Sequence, residues 1–199
     1  MAHDRIAERF DIQIVHDKFC AAVHEDDDVH LESYLQSFEE LNKFFTLIGS
    51  VFGFVSKDLG AKMDTLNELL NHPEKSENFM TVKKMIEFEK DNGFLNKKGY
   101  TSGSRTLLRL HRGLDFIQLF LKKLGELKEE ESTSFACREA YDHTLAKHHS
   151  FVIRNGAKIA IYTLPTKEIL LQRVCVTQKI SKKQWICCLK TRGNVDSIY

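Results

Sequence analysis

Residues 103–123, GSRTLLRLHRGLDFIQLFLKK, are the stretch on which the rest of the chain is organised. The spacing predicts one helix, with Ser102 or Ser104 as N-cap and Gly125 just beyond its far end. At 100° per residue three faces separate. Leu107, Leu110, Leu114, Ile117, Leu121 and Leu124 form a core stripe. His111, Asp115, Gln118 and Lys122 form a polar face. The third face opens with Arg105, Arg109 and Arg112 and continues as Phe116, Leu119 and Phe120. A helix apolar on two sides is covered on both. One of those sides begins cationic and ends greasy, the profile expected for an anionic ligand with a long tail. A solvated rim paired with carboxylates is the ordinary use of such arginines. Here Leu107, Leu108 and Leu110 flank Arg109, which predicts partial burial and hence a need for a forked, two-point partner such as phosphate or carboxylate.

Working outward, the 199 residues suit one domain with a sizeable core. With 29 basic and 28 acidic side chains, the net charge of +1 argues against bulk nucleic-acid binding. Five cysteines (Cys20, Cys137, Cys175, Cys187, Cys188) have no framework spacing, and no signal-peptide pattern precedes them. They read as reduced thiols of a cytosolic protein. No apolar run approaches the roughly 20 residues that a membrane-spanning helix needs.

The other segments read as helices too. Residues 1–9 are polar and loose. Residues 10–23 place Phe10, Ile14, Phe19 and Val23 at loosely helical spacing, and the acidic run at 25–28 makes a turn or opens the next helix. From Leu31 to Leu59 apolar residues alternate intervals of three and four, with Gly49 and Gly53 marking either close approach or a bend. Met63 and Leu66 continue that stripe to a stop at Asn71-His72-Pro73. Residues 79–90 form a shorter helix. Residues 135–162 read as one helical segment threaded by Ala136, Ala140, Leu145 and Val152, and residues 166–174 as a last helix. The expected class is all-α.

Two charged sites lie in otherwise apolar helices. Asp58 and Lys62 stand one turn apart, which reads plainly as an i, i+4 ion pair. His148 and His149 precede an apolar run and read as capping or packing residues. Asp142, His143, His148 and His149 match no standard metal spacing. No nucleophile-and-base signature occurs, so catalytic residues, metal and cofactor are all expected to be absent.

Three blocks then carry a resemblance: VFGFVSKDLGAK (51–62), SRTLLRLHRGLDFIQLFL (104–121) and AKHHSFVIRNGAKIAIYTLPTKEIL (146–170). In this order and spacing they resemble the glycolipid transfer protein family across residues 10–174. The resemblance implies a single-domain, two-layer helical sandwich that accepts one sphingolipid, not an enzyme. It assigns Asp58 to the sphingoid amide and hydroxyl, Lys62, Arg105 and Arg109 to a phosphate headgroup, and His149 to the amide carbonyl. Glycolipid-selective members carry tryptophan where this chain has Arg109, so ceramide 1-phosphate is favoured over a sugar headgroup. Arg112 has no role carried over; contact with membrane phosphates is the expectation. Phe52, Val55, Phe116, Leu119, Phe120, Val152 and Ile153 are either pocket wall or plain core.

The implied activity is intermembrane transfer by a cytosolic monomer with transient membrane contact, at Golgi, plasma membrane or endosome. The alternatives are a lipid sensor that binds without transferring, and glycosphingolipid transfer. Residues 175–199 depart from the resemblance: no sustained stripe replaces the family's last helix.

Overall fold

A computed structural model of the protein describes residues 10–23, 28–49 and 52–174. The expectations for residues 1–9 and for the tail at 175–199 lie outside the described residues. The elements are α1 (Ile12–Ala22), α2 (Leu31–Ile48), α3 (Gly53–Leu70), α4 (Val82–Asp91), α5 (Gly103–Glu126), α6 (Ser134–His143), α7 (Phe151–Tyr162) and α8 (Lys167–Val174), with short 3-10 turns at Ser76–Phe79 and Ala146–His148. Only isolated bridges, not strands, join the described residues. The fold is all-α.

Helix starts are chemically marked. Asp11, Thr81, Ser102 and Ser150 each accept a hydrogen bond from a backbone N–H in the first turn of the helix that follows. These caps satisfy donors that would otherwise have no intrahelical partner. Asp28, from the acidic run, accepts from the N–H groups of Val29 at 2.7 Å and Lys83 at 3.0 Å. It therefore ties the entry to α2 onto the start of α4, while the rest of the acidic run, residues 25–27, lies outside the described residues.

Helix α5 is central, packed against α3, α4 and α6, while α2 carries α1, α3 and α8. Its stripe from Leu107 to Leu124 is buried, and so are Phe116 and Phe120 on the far side. Both apolar sides are thus covered, as a sandwich requires. Gly103 permits the seating of its first turn: a Cβ there would stand 2.7 Å from Leu69 Cδ1 and from Met85 Sδ.

Beneath that turn lies Glu89 of α4, fully buried. Its carboxylate accepts from Ser102 Oγ at 2.6 Å, Gly103 N at 2.7 Å, Tyr100 Oη at 2.9 Å and Ser104 N at 3.0 Å. Burial pushes the Glu89 carboxyl up, but hydrogen bonds from Ser102, Ser104 and Gly103 outweigh it and hold it below its ordinary value. An anion at a helix N-terminus also meets the positive end of the helix dipole.

The structure corrects several expectations. The single stripe from Leu31 to Leu59 is broken after Ile48, where Gly49 adopts φ 148° and α3 starts afresh at Gly53. That backbone favours glycine, so the glycines mark a bend. Residues 135–162 are two helices separated by a 3-10 turn. Ile14 is 43% exposed, because α1 packs through Ile12, Val15, Phe19 and Ala22. Gly125 lies inside α5, which runs on to Glu126.

The polar face of α5 is partly buried. His111 and Gln118 are buried, and His111 Nδ1 lies 3.1 Å from the Tyr34 hydroxyl of α2. Tyr34 packs against Phe19 and Phe38, so this hydrogen bond sits within an aromatic cluster. Replacing Tyr34 by Phe removes the bond without changing the ring, and is expected to cost about 1–2 kcal/mol in urea unfolding. Cys137 is a buried free thiol. Cys20 is disulfide-bonded, contrary to the reduced reading at that position.

Candidate functional site

Asp58 and Lys62 lie on the first half of α3, one turn apart, and their side chains form an ion pair. Lys62 also donates to the Asp58 carbonyl at 3.4 Å. The two groups differ in access, with side-chain exposure of 68% for Asp58 and 17% for Lys62. The carboxylate is therefore open to a ligand's donors while the ammonium sits behind it.

His149 follows the 3-10 turn at Ala146–His148 in extended backbone, directly before Ser150 caps α7. This abrupt change of direction takes the imidazole out of helical register and sets it against α6. Its Nδ1 lies 2.9 Å from the Tyr141 hydroxyl, with ring centroids 5.7 Å apart. Burial lowers the His149 pKa; Asp58 raises it and Lys62 lowers it by lesser amounts. The ring is thus neutral at neutral pH and shares an electrostatic neighbourhood with the α3 pair. Burial pushes the Tyr141 hydroxyl up, with Arg154 pulling it down and Asp142 raising it, so its proton is retained.

The arginines stand on the first turns of α5. Arg105 is exposed and donates through Nη1 to the Leu95 carbonyl and to Asn96 Oδ1, both at 3.4 Å. Arg109 is exposed, which corrects the partial burial expected from its leucine neighbours; Leu107 and Leu110 turn to the core while Arg109 faces outward. Arg112 is half-buried, and its charge, after burial itself, holds down the pKa of His148. Asp58 and Lys62 pair directly, and His149 lies within range of their charges. Among the described residues no hydrogen bond or ion pair joins Arg105 or Arg109 to Asp58, Lys62 or His149; the two arginines stand one turn apart on α5, which packs against α3.

Among the pocket candidates, Phe52, Phe116 and Phe120 are buried, and Val55 and Leu119 pack half-buried against the core. The Phe116 and Phe120 rings stack at 6.0 Å and 6°. Phe116 also meets Tyr141 edge-on at 6.4 Å, which links the greasy side of α5 to the ring beside His149. Val152 and Ile153 are corrected. They are 78% and 47% exposed on α7, which buries only Ala157, Ala160 and Ile161. Phe151, Ile159 and Tyr162 are exposed on the same helix.

Tyr141 was missed by sequence reasoning. It lies eight residues before His149 across a non-helical turn, and no periodicity connects positions on opposite sides of such a turn. The described residues contain no group of three or more His, Cys, Asp or Glu able to hold a metal ion. None of the described helices is long and apolar enough to cross a membrane. A surface cleft lined by Ile14, Lys18, Gln36, Glu39, Glu40 and Lys43 lies between α1 and α2 and includes none of the site residues.

The family model described as glycolipid transfer protein matches residues 29–176. The ceramide-1-phosphate transfer protein of Danio rerio is 36% identical over 167 residues, covering 82% of this chain and 79% of that protein. The crystal structure of the mouse ceramide-1-phosphate transfer protein in its apo form superposes with TM-score 0.81 at 30% identity, covering 96% of this chain and 92% of the other. The human ceramide-1-phosphate transfer protein in complex with 2:0 ceramide 1-phosphate superposes with TM-score 0.79, also at 30% identity and with the same coverages of 96% and 92%.

Proposed function

Because this chain belongs to the glycolipid transfer protein family, a family of lipid carriers and not of enzymes, we propose that it moves a phosphate-headed sphingolipid, ceramide 1-phosphate, between membranes. The observation that carries this reading is Arg109, a guanidinium exposed on α5 with no ion pair among the described residues. The resemblance puts tryptophan at this position in sugar-selective members. An aromatic ring offers a flat surface to a sugar. A guanidinium offers two parallel donors to a phosphate.

In this reading Arg109 and Arg105 hold the phosphate from α5. Arg105 leaves its long contacts with Leu95 and Asn96 to do so. Lys62 supplies a third cation from α3, keeping Asp58 as its neighbour. The Asp58 carboxylate accepts from the lipid amide N–H and the sphingoid hydroxyl, and His149 donates to the amide carbonyl. These last two contacts need an amide and a free hydroxyl, which diacylglycerol lipids lack. The chains then enter beside Phe52, Phe116 and Phe120, where each buried methylene contributes about 0.8 kcal/mol. The exposed Phe151, Val152, Ile159 and Tyr162 of α7, with Arg154 and Lys158 on the same helix, form the face that touches the membrane.

The backbone selectivity is tested by offering phosphatidic acid beside ceramide 1-phosphate. Both present a phosphate, and only the second presents the amide and hydroxyl. The wild-type chain is expected to transfer ceramide 1-phosphate at least about tenfold faster, and Asp58→Val to lose most of that preference. Equal transfer of both lipids by the wild-type chain would sink the assignment of Asp58 and His149. Binding of ceramide 1-phosphate without transfer would identify a sensor instead, the outcome the divergent tail at 175–199 makes worth testing.

A further inference from the structure

We infer that Tyr141 is a positioning residue, fixing His149 in the tautomer whose Nε2–H is offered to the sphingolipid amide carbonyl. The inference rests on the proposed role of His149 and adds a residue to it. Four observations converge on it. The Tyr141 hydroxyl lies 2.9 Å from His149 Nδ1, a full-strength hydrogen bond. Tyr141 itself is only 4% exposed, wedged by Phe116 edge-on at 6.4 Å, so its hydroxyl has little freedom to swing away. Apart from its bond to Tyr141, the His149 side chain makes no hydrogen bond within the described residues, which leaves Nε2 open to a ligand. Finally, burial lowers the His149 pKa and raises that of Tyr141, which reinforces a neutral ring and a protonated phenol at neutral pH.

A neutral imidazole has one donor and one acceptor nitrogen, and its partner decides which is which. A phenol is a better hydrogen-bond donor than acceptor, and an unprotonated imidazole nitrogen is a better acceptor than its N–H is a donor. The proton then goes to Nδ1. His149 must carry its own proton on Nε2, where a carbonyl oxygen can accept it. With the opposite tautomer, Nε2 would present a lone pair to the carbonyl, and the contact would be repulsive.

The test is long-range 15N–1H NMR of the His149 ring at pH 7.5, in the wild-type chain and in Tyr141→Phe, with affinity for ceramide 1-phosphate vesicles measured on both and on His149→Leu. The wild-type ring is expected to show the Nε2–H pattern. Tyr141→Phe is expected to show a mixture of tautomers and to bind about 3- to 10-fold more weakly. A wild-type ring with its proton on Nδ1 would overturn the inference whatever the variants do. So would a tautomer unmoved by Tyr141→Phe, or a moved tautomer with unchanged affinity while His149→Leu binds weakly. If the tautomer moves but His149→Leu binds as the wild type does, Tyr141 still positions the ring and the role proposed for His149 in lipid binding fails instead.

Discussion

Arg109→Leu is expected to reduce transfer of ceramide 1-phosphate about 10- to 100-fold while leaving the unfolding midpoint unchanged. The size follows from the chemistry lost. A charge-assisted hydrogen bond contributes about 1.5–3 kcal/mol, and each 1.4 kcal/mol is a factor of ten. The absence of a stability effect follows from the position: Arg109 is exposed and makes no ion pair among the described residues, so its removal orphans no buried group. Arg105→Leu is expected to act in the same direction but less, because Arg105 divides its donors with Leu95 and Asn96. Lysine at 109 keeps the charge and loses the fork, and is expected to restore only part of the rate. The assay is vesicle-to-vesicle transfer with a fluorescent acyl chain, beside a thermal melt of each variant. A variant that melted early and transferred slowly would report misfolding and not headgroup recognition.

The second large effect is on stability. Glu89→Ala is expected to cost about 3–5 kcal/mol of unfolding free energy, read from urea denaturation. The substitution removes the one acceptor shared by Ser102 Oγ, the Gly103 and Ser104 N–H groups and Tyr100 Oη. Those donors stay in the protein interior without a partner, and that desolvation is the main cost. Glu89→Gln keeps an acceptor oxygen and is expected to cost less. The pH dependence has a definite sign. The folded Glu89 pKa lies below its ordinary 4.5, so the stabilisation is complete above about pH 4.5 and is lost as pH falls through the lower folded value. Stability of the wild-type chain should therefore drop below pH 4.5 more steeply than that of Glu89→Gln. Because Glu89 seats the turn that carries Arg105, Glu89→Ala should also weaken phosphate-dependent transfer. Arg109→Leu should leave stability untouched, and this asymmetry separates the scaffold from the site.

Much of the fold was legible because helical periodicity records which residues share a face. The stripe from Leu107 to Leu124 and the second side at Phe116 and Phe120 are both buried, as a sandwiched helix requires. Periodicity does not record what covers a face, and the errors cluster there. His111 and Gln118 read as a polar face in sequence, yet both are buried, and His111 finds a buried partner 77 positions away in Tyr34 of α2. Ile14 fits a loose helical stripe, but α1 rolls so that Ile12 and Val15 point inward instead. Periodicity also runs across breaks. The stripe from Leu31 to Leu59 keeps its rhythm through Gly49, where the backbone turns.

The candidate site was legible to a different degree. Asp58 and Lys62 do form the expected i, i+4 pair. That His149 shares their electrostatic neighbourhood follows from the turn after Leu145, a change of direction with no glycine or proline to announce it. Arg109 was misjudged for burial because flanking leucines say nothing about the direction of the residue between them. Val152 and Ile153 were misjudged because an apolar run that opens a helix reads the same whether it faces the core or the surface.

Recognition of a phosphate and not of a sugar on a sphingoid backbone is the selectivity proposed for this chain. The most direct measurement is transfer by the wild-type chain of ceramide 1-phosphate and galactosylceramide carrying the same acyl chain, between vesicles of the same composition. Preference for ceramide 1-phosphate by about tenfold or more is the predicted result. Equal rates, or faster movement of galactosylceramide, would contradict it.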